Sequence, residues 1–311
     1  MQTHNTHSLA SAFGALALVA VAFLSGVGAV SVLRTVNTNI SSAAAAAEAF
    51  RQPLSVDPNS LTAKAAIVYD PQTHQVLYEK NGYTILPLAS LTKLVTATAV
   101  LNHVPGNPTI TIIKDDLVQN GAESDADFAP GNRIKLKDLL EIGLIASSNS
   151  SIQAAARMLG PVYTDVLQAT AFSLGITDMQ FNNGTGLDVD SVTAGAYGSA
   201  YDIARIAAHF ATQHPEYFNL TQKPEVTISS GFGSTIRARA TNLPLQDMPG
   251  LVGAKTGYTE LAGGNIVALF DVEIGHPLVI AVLGSTQTAR FDDTELLLAA
   301  ARSALSLRNT Q

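Results

Sequence analysis

The first hydrophobic feature of the chain is an uncharged apolar run from Leu9 to Leu33. As an α-helix this run would extend roughly 37 Å, which exceeds the ~30 Å hydrocarbon core of a bilayer. No Lys or Arg precedes it, whereas a cleaved signal peptide usually has a basic start and an apolar stretch of about 7–15 residues. We therefore predict an N-terminal transmembrane helix within residues 1–36. The alternative is a signal segment cleaved at the small residues Val27-Gly28-Ala29.

The next segment, residues 37–60, is rich in alanine but has no clear amphipathic face. Pro53 and Pro58 close it, because proline interrupts regular structure. We interpret residues 37–60 as a tether and predict that residues 61–311 form one domain.

Within this domain the apolar positions predict strands at both ends and helices between them. The predicted strands lie over 65–69 and 74–78, joined by a turn at Asp70-Pro71-Gln72-Thr73, and over 264–272 and 278–283. The predicted helices lie over 90–101, 135–146, 150–159, 200–212 and 292–307. Asp292 and Asp293 suit the positive N-terminal end of the last helix. This order predicts an α+β fold, with a sheet built from both ends of the chain around a helical insert.

Composition narrows the function classes. Hydrophobic residues make up 47% of the chain and charged residues 14%, which excludes an intrinsically disordered protein. The formal net charge of −7 gives no basic footprint, so we predict no nucleic-acid partner. The chain has no Cys, which excludes disulfides, thiolate metal sites and a cysteine nucleophile. The chain also lacks the His-Glu-x-x-His and Gly-x-Ser-x-Gly motifs, and we interpret His209 and His214 as solvent-facing.

The first motif that could carry chemistry is Ser90-Leu91-Thr92-Lys93. Residues three apart on a helix share a face, so the Lys93 amine can reach the Ser90 hydroxyl. A serine hydroxyl needs a base to become a nucleophile, and a lysine held neutral can be that base. Alone, the motif more often marks a helix N-cap followed by a solvated lysine than a catalytic pair.

Two more motifs follow along the chain. Ser147-Ser148-Asn149 stands between two predicted helices, where a polar turn with an N-cap is common. Lys255-Thr256-Gly257 precedes Tyr258 and could be a surface turn. Its functional interpretation is an edge strand whose Lys supplies positive charge, whose Thr binds a carboxylate and whose Gly admits substrate to the backbone.

The order Ser-x-x-Lys, Ser-x-Asn, Lys-Thr-Gly is that of the penicillin-binding protein and serine β-lactamase superfamily. The surrounding residues resemble the low-molecular-mass D-alanyl-D-alanine carboxypeptidases over about residues 60–307, notably at Leu86–Lys93, Phe181–Asp188, Gly253–Thr259 and Val282–Ser285. The resemblance implies a β-lactamase/transpeptidase-like fold, a mostly antiparallel sheet flanked by helices with a helical subdomain.

The resemblance also implies roles for the residues of the first two motifs. Ser90 would be the acylated nucleophile and Lys93 its general base. Ser147 would help to move the proton to the leaving group, and Asn149 would hold the substrate amide. The reaction would release the last D-Ala of a peptidoglycan stem peptide, and β-lactams would acylate Ser90 as inhibitors. No metal or cofactor is expected.

The third motif would bind and polarise the substrate. Lys255 would keep Lys93 neutral and attract the anionic substrate, and Thr256 would bind its terminal carboxylate. Gly257 would let the substrate approach the strand. The backbone N–H groups of Ser90 and Tyr258 would form the oxyanion hole, which often contributes about 3–4 kcal/mol.

Other functions remain open at this point. A class A β-lactamase usually has Ser-Asp-Asn and a Glu-x-x-Leu-Asn motif, to which Glu216 and Asn219, interpreted as a surface loop, come nearest. A DD-endopeptidase acting on cross-linked peptidoglycan has all three motifs. A membrane-tethered penicillin or peptidoglycan sensor could use the same fold without catalysis.

The expected substrate also decides the expected location. Arg34 alone weakly favours a cytoplasmic domain. Peptidoglycan lies outside the cytoplasmic membrane, so we expect an extracytoplasmic domain anchored to the cell membrane through the N-terminal helix, or secreted if that segment is cleaved.

Overall fold

A five-stranded antiparallel sheet is the centre of the computed structural model, which describes residues 53–117, 128–231 and 233–306. The strands, in chain order, are β1 (Ala65–Asp70), β2 (Gln75–Lys80), β3 (Leu86–Pro87), β4 (Thr109–Thr111), β5 (Arg133–Lys135), β6 (Gln180–Phe181), β7 (Ala196–Gly198), β8 (Glu225–Gly231), β9 (Ser234–Arg239), β10 (Leu251–Thr259), β11 (Gly263–Glu273) and β12 (His276–Ser285). The helices are α1 (Thr92–His103), α2 (Leu136–Ile145), α3 (Asn149–Arg157), α4 (Tyr163–Ser173), α5 (Ala200–Gln213), α6 (Pro215–Phe218) and α7 (Ala289–Ser306).

The main sheet joins the two ends of the domain, as the sequence predicts. Its strand order is β10-β11-β12-β1-β2. The registers Ala66↔Val282 and Ile67↔Ala281 pair β1 with β12, and all residues of β1 are buried. A strand that is covered on both faces needs apolar side chains on both, so its sequence is an unbroken apolar run. This accounts for the apolar run from Ala65 to Val68. At the opposite end from β2, β10 forms an edge of the sheet.

The helical insert differs in detail from the prediction at its most important point. The sequence predicts a helix from Ser90, but Ser90 lies in a 3-10 turn, Ala89–Leu91, and α1 begins at Thr92. Residues Thr92 to Val100 are all buried, so α1 is a central helix rather than an amphipathic surface helix. The helices predicted over 135–146, 150–159 and 200–212 are present as α2, α3 and α5.

Several elements were missed by the sequence analysis. The short strands β3, β6 and β7 form a small sheet, β4 pairs with β5, and α4 follows α3. Strands of two or three residues are too short to show a period. The hairpin β8–β9 did carry a signal, because Val226, Ile228, Ile236 and Ala238 alternate with exposed residues.

The terminal helix also corrects one expectation. It starts three residues earlier than predicted, at Ala289, and residue 307 lies outside the described residues. Asp292 does lie in the first turn. Asp293, however, is buried and accepts hydrogen bonds from the backbone N–H groups of Thr62 and Ala63 and from the Ser285 hydroxyl. It therefore ties three segments together instead of complementing the helix dipole.

The expectations for the N-terminal part fall largely outside the described residues. The apolar run Leu9 to Leu33 is among the residues that the structure does not describe, and no helix in the described part is long and apolar enough to cross a bilayer. The division between tether and domain at residue 61 stays a prediction. Leu54 already contacts the domain, since it is buried and its backbone N–H donates to the Leu77 carbonyl at 2.7 Å.

Candidate active site

The turn before α1 presents the candidate nucleophile. Ser90 is almost completely buried, and the preceding residue, Ala89, has a φ of 48°. A non-glycine residue in this left-handed region costs of order 1–3 kcal/mol and persists only where the surroundings enforce it. The surroundings here include Asn265 of β11, whose side-chain amide donates to the Pro87 carbonyl at 2.9 Å.

Lys93 is the hub of the site. Its side chain is 0% exposed, and its Nζ lies 2.7 Å from the Ser90 Oγ. The same Nζ donates to the Ser147 carbonyl at 2.6 Å and to the Asn149 Oδ1 at 2.7 Å. Both of these oxygens can only accept hydrogen bonds. If Lys93 is neutral, its two N–H groups satisfy them and its lone pair is left for the Ser90 hydroxyl proton.

The loop between α2 and α3 supplies the second motif. Ser148 is the N-cap of α3, since its hydroxyl accepts from the Ser151 N–H, and Asn149 is the first residue of the helix. Ser147 has a φ of 60°, so a second strained residue borders the site. The cap and the strain together turn the side chains of Ser147 and Asn149 toward Lys93. Ser148 thus caps the helix, as a polar interhelical turn would, while Ser147 and Asn149 contact Lys93; the catalytic roles of these two residues stay predictions.

The third motif lies on the edge strand β10, as expected. The Lys255 Nζ donates to the Ser147 Oγ at 2.8 Å, and this hydroxyl also lies 3.1 Å from the Lys93 Nζ. One serine hydroxyl therefore bridges two buried lysine side chains. Gly257 packs on the Ser90 turn, because a Cβ there would come within 3.0 Å of the Ser90 backbone nitrogen. Any larger residue would push the strand away from the nucleophile.

Two predicted residues stand at the margin of this cluster. The Thr256 hydroxyl donates to the Thr241 Oγ at 2.6 Å instead of bonding within the lysine cluster. Tyr258 is half-buried and continues β10, and its predicted role involves its backbone N–H alone. The structure thus joins Ser90, Lys93, Ser147, Asn149 and Lys255 by direct hydrogen bonds and places the other three beside them.

Sequence reasoning missed three residues that support the site. Thr241 follows the β8–β9 hairpin and contacts Thr256, and Asn265 accepts from the Gly284 N–H while donating to Pro87. Asp188 accepts from the Thr259 hydroxyl and from the Leu261 N–H, which fixes the turn after β10. Asp188 lies within a segment of family resemblance, whereas Thr241 and Asn265 have no local sequence signal because their partners are distant in the chain.

Residues 52–287 match the peptidase S11 family, D-alanyl-D-alanine carboxypeptidase. The chain belongs to this D-alanyl-D-alanine carboxypeptidase family. The resemblance deduced from the motifs is thereby confirmed, including its consequence that the protein is a serine hydrolase of the penicillin-binding type.

Relatives of this family differ in the activity for which they are named. D-alanyl-D-alanine carboxypeptidase DacB2 of Mycobacterium tuberculosis is 29% identical over 224 residues, which is 71% of this chain and 74% of that protein. The D-alanyl-D-alanine endopeptidase of Pseudomonas aeruginosa is 28% identical over 67% of this chain. The chain spans 66% of that endopeptidase, just under two thirds of its length.

Solved structures confirm the α+β transpeptidase-like fold. Penicillin-binding protein D2 of Listeria monocytogenes, in its ampicillin-bound form, superposes with a TM-score of 0.67 at 29% identity, covering 78% of this chain and 98% of that chain. The match to the S11 family includes neither the predicted N-terminal anchor nor the part of the tether before residue 52.

The residues that a β-lactamase, a histidine-dependent hydrolase or a metal enzyme would use lie in other surroundings. Glu216 and Asn219 are exposed as predicted, but they lie on α6 and a following 3-10 turn rather than in a loop. Burial lowers the pKa of His209 and of His214. Each of these two histidines is only half-buried, so the prediction that they face solvent holds in part. Among the described residues no group of three or more His, Cys, Asp or Glu side chains could hold a metal ion.

Gly186 gives the first testable consequence for this carboxypeptidase-family site. Its φ is 81°, and a Cβ would lie 1.8 Å from the Ala89 carbonyl oxygen, directly before the nucleophile. We expect Gly186→Ala to lower the free energy of unfolding by at least about 2 kcal/mol and to slow penicillin acylation, because strain and overpacking add. Chemical denaturation and labelling with a fluorescent penicillin measure the two effects.

Gly275→Ala is the matched control for this substitution. Gly275 has nearly the same φ, 79°, but no atom lies within 4 Å of the position that a Cβ would take there. Only the backbone cost of about 1 kcal/mol should appear, with unchanged acylation. Equal effects of the two substitutions on acylation would show that Gly186 does not position the Ser90 turn.

Proposed function

We propose that this protein is a serine-type D-alanyl-D-alanine carboxypeptidase that removes the terminal D-Ala from peptidoglycan stem peptides through an acyl-enzyme on Ser90. The observation that carries the proposal is the 2.7 Å contact between the Lys93 Nζ and the Ser90 Oγ, inside a fully buried lysine. In a surface Ser-x-x-Lys pair the lysine amine would instead be exposed to water.

The buried lysine serves as the general base. Complete burial and the second lysine bound to the same Ser147 hydroxyl both disfavour a charged Lys93. The neutral amine takes the Ser90 proton as the Oγ attacks the carbonyl carbon of the penultimate D-Ala. A C–O bond forms, and the carbonyl π electrons move to the oxygen.

The proton that Lys93 took from Ser90 is then transferred to the leaving group. As the tetrahedral intermediate collapses, the C–N bond breaks and the departing D-Ala nitrogen must be protonated. Ser147 bridges Lys93 and Lys255 at 3.1 and 2.8 Å, so its hydroxyl can relay the proton outward. Water then attacks the Ser90 ester with Lys93 again accepting the proton, the bond between the acyl carbon and the Ser90 Oγ breaks as Lys93 returns that proton to the Oγ, and the shortened peptide leaves with a new carboxylate.

Edge strand β10 is the proposed binding surface for the peptide. The Thr256 and Thr241 hydroxyls, 2.6 Å apart, are the proposed hydrogen-bond donors to the terminal carboxylate, and Lys255 of the same strand supplies the attracting positive charge. Gly257 lets the peptide approach the strand, and the N–H groups of Ser90 and Tyr258 bind the oxyanion. Asn149 orients Lys93 and contacts the substrate amide. β-Lactams occupy the same surface and acylate Ser90, in keeping with the ampicillin-bound relative.

The location follows from the substrate. Peptidoglycan lies outside the cytoplasmic membrane, so the domain acts there. Anchoring by an N-terminal transmembrane helix over residues 1–36 remains our prediction from the uncharged run between Leu9 and Leu33.

A DD-endopeptidase is the second candidate, because relatives from Pseudomonas aeruginosa and Escherichia coli bear that name. The test is to incubate the protein with a peptide that ends in D-Ala-D-Ala and, separately, with a cross-linked muropeptide dimer. Release of free D-Ala from the linear peptide, absent in Ser90→Ala, supports the carboxypeptidase. Cleavage of the dimer alone would replace it with the endopeptidase, and cleavage of neither by a protein that labels with penicillin would favour a sensor.

Thr256→Val tests the carboxylate subsite. Losing one charge-assisted hydrogen bond costs about 1.5–3 kcal/mol, so we expect kcat/KM on the free-acid peptide to fall about 10- to 100-fold. For the same peptide with an amidated C-terminus, kcat/KM should fall much less, because this peptide has no carboxylate for Thr256 to bind. Steady-state D-Ala release from the acid, and peptide cleavage of the amide, give the two ratios.

Thr170→Val is the control for that substitution. Thr170 is also a buried threonine, but its hydroxyl donates to the Val166 carbonyl within α4. It should leave the acid-to-amide ratio unchanged. A Thr256→Val enzyme with the wild-type ratio would contradict the assigned role of Thr256.

A further inference from the structure

A buried arginine outside the three motifs holds the strand that carries Lys255, Thr256 and Gly257. Arg290 is the second residue of α7 and is only 2% exposed. Its Nη1 donates to the Gly257 carbonyl at 2.8 Å. The Phe291 ring lies under the guanidinium, whose central carbon is 4.9 Å from the ring centroid. This cation–π contact favours the observed position of the guanidinium.

The Gly257 carbonyl belongs to the same peptide unit as the Tyr258 N–H. No peptide bond in the described residues is cis, and in a planar trans unit the C=O and N–H point in opposite directions. A donor that grips the carbonyl therefore determines the direction of the N–H. Arg290 thus contributes, together with the pairing of β10 and β11, to the orientation of the backbone donor that we place in the oxyanion hole.

The guanidinium also acts electronically on that peptide unit. Arginine is always protonated, and a hydrogen bond from a cation is shorter and stronger than a neutral one. Within a low-dielectric interior, a donor on the carbonyl polarises the peptide and strengthens the N–H as a donor in turn. The stronger donor acts where negative charge develops, next to the Ser90 backbone nitrogen that lies close to Gly257.

We propose that Arg290 is a positioning residue of the oxyanion hole, which orients and polarises the Gly257–Tyr258 peptide for the acyl transfer at Ser90. This inference rests on the proposed function, because it assumes acylation of Ser90. Arg290 touches neither the substrate nor the reacting atoms, and acts only through the backbone of β10.

The chain offers a matched control on the same helix. Arg302 of α7 also donates from a guanidinium nitrogen to a backbone carbonyl, that of Pro249, in the segment before β10. Pro249 belongs to no part of the proposed site. Arg302→Met therefore removes an arginine–carbonyl hydrogen bond between α7 and the rest of the domain without affecting the Gly257–Tyr258 peptide.

The test measures the acyl-enzyme formed with a penicillin labelled with ¹³C at its β-lactam carbonyl. Infrared difference spectra give the stretching frequency of the new ester carbonyl, which falls as the oxyanion hole donates more strongly. We expect Arg290→Met to shift this band to higher wavenumber and to slow acylation about 10- to 100-fold, since losing a full donor costs about 10²–10³. Arg290→Lys should give a smaller shift, and Arg302→Met should match the wild type.

The outcomes separate the two proposals. A wild-type carbonyl frequency in Arg290→Met overturns the role of Arg290, whatever its acylation rate, because a purely structural arginine would not act on the ester. If Arg290→Met does not unfold cooperatively, Arg290→Lys decides the question by the same band. A wild-type protein that is not acylated at Ser90 overturns the proposed function itself, and the role of Arg290 with it.

Discussion

Ser90→Ala is expected to remove all covalent labelling by penicillin and all release of D-Ala, while changing the free energy of unfolding by less than about 1 kcal/mol. The other hydroxyl that contacts the Lys93 Nζ in the described part of the chain, the Ser147 Oγ, is held between Lys93 and Lys255, and we do not expect it to replace Ser90 as nucleophile. The fold should survive because Lys93 keeps its other oxygen partners on Ser147 and Asn149. Fluorescent-penicillin labelling and thermal unfolding check both parts.

Ser285→Ala is the control for this loss. Ser285 is another buried serine, and its hydroxyl donates to the Asp293 carboxylate at 2.7 Å, away from the lysine cluster. This variant should label normally, although it removes a hydrogen bond to a buried carboxylate. Labelling that persisted in Ser90→Ala would show that another residue is acylated and would refute the assignment of the nucleophile.

The second large effect is expected for Lys93→Met, which keeps the length of the side chain but removes the amine. General-base catalysis contributes about 10²–10⁴-fold, so acylation should fall by at least about 10²-fold. The substitution also leaves the Ser147 carbonyl and the Asn149 Oδ1 without the N–H groups of Lys93. We therefore expect a stability loss of about 1–3 kcal/mol, measured by denaturant unfolding.

Lys80→Met separates the loss of a base from the loss of a lysine–carbonyl hydrogen bond. The Lys80 Nζ donates to the Leu61 carbonyl at 2.9 Å, outside the site. This variant should lose some stability and acylate at the wild-type rate. If Lys93→Met acylated within about threefold of the wild type, when general-base loss predicts 10²-fold or more, Lys93 would not be the base.

The main sheet and the chemical motifs could be predicted from the sequence, because both leave a local pattern of residues. Continuous or alternating apolar residues predicted β1, β2, β11 and β12, and the order of the strands placed both chain ends in one sheet. The motifs predicted Ser90, Lys93 and Lys255 because three short patterns in a fixed order are specific to one superfamily. What these residues touch followed only from the structure.

The parts that could not be predicted depend on long-range contacts. The helix expected from Ser90 begins only at Thr92, after a 3-10 turn that starts at Ala89 with a positive φ, beside a segment that the distant Asn265 holds at the Pro87 carbonyl. Thr241, in the segment between β9 and β10, contacts Thr256 within β10. Arg290 of the last helix contacts the Gly257 carbonyl. A hydroxyl or a guanidinium at such positions looks like any surface residue in the sequence.

Backbone strain at both sides of the nucleophile gives the site a physical rationale. Ala89 and Ser147, both non-glycine residues with positive φ, border Ser90 and Lys93. Such conformations persist where packing over-determines them, and they occur often at active sites. The strain at these two residues therefore accompanies the close approach of the Ser90 hydroxyl, the Lys93 amine and the Lys255 amine through Ser147.

The most direct test of the central claim is to locate the covalent adduct. The wild-type protein is treated with benzylpenicillin, digested, and analysed by tandem mass spectrometry. The account predicts one penicilloyl group, on Ser90, which is lost in Ser90→Ala and formed far more slowly in Lys93→Met. An adduct on any other residue, or no adduct on a cooperatively folded protein, would contradict the proposal that Ser90 and Lys93 form the catalytic pair.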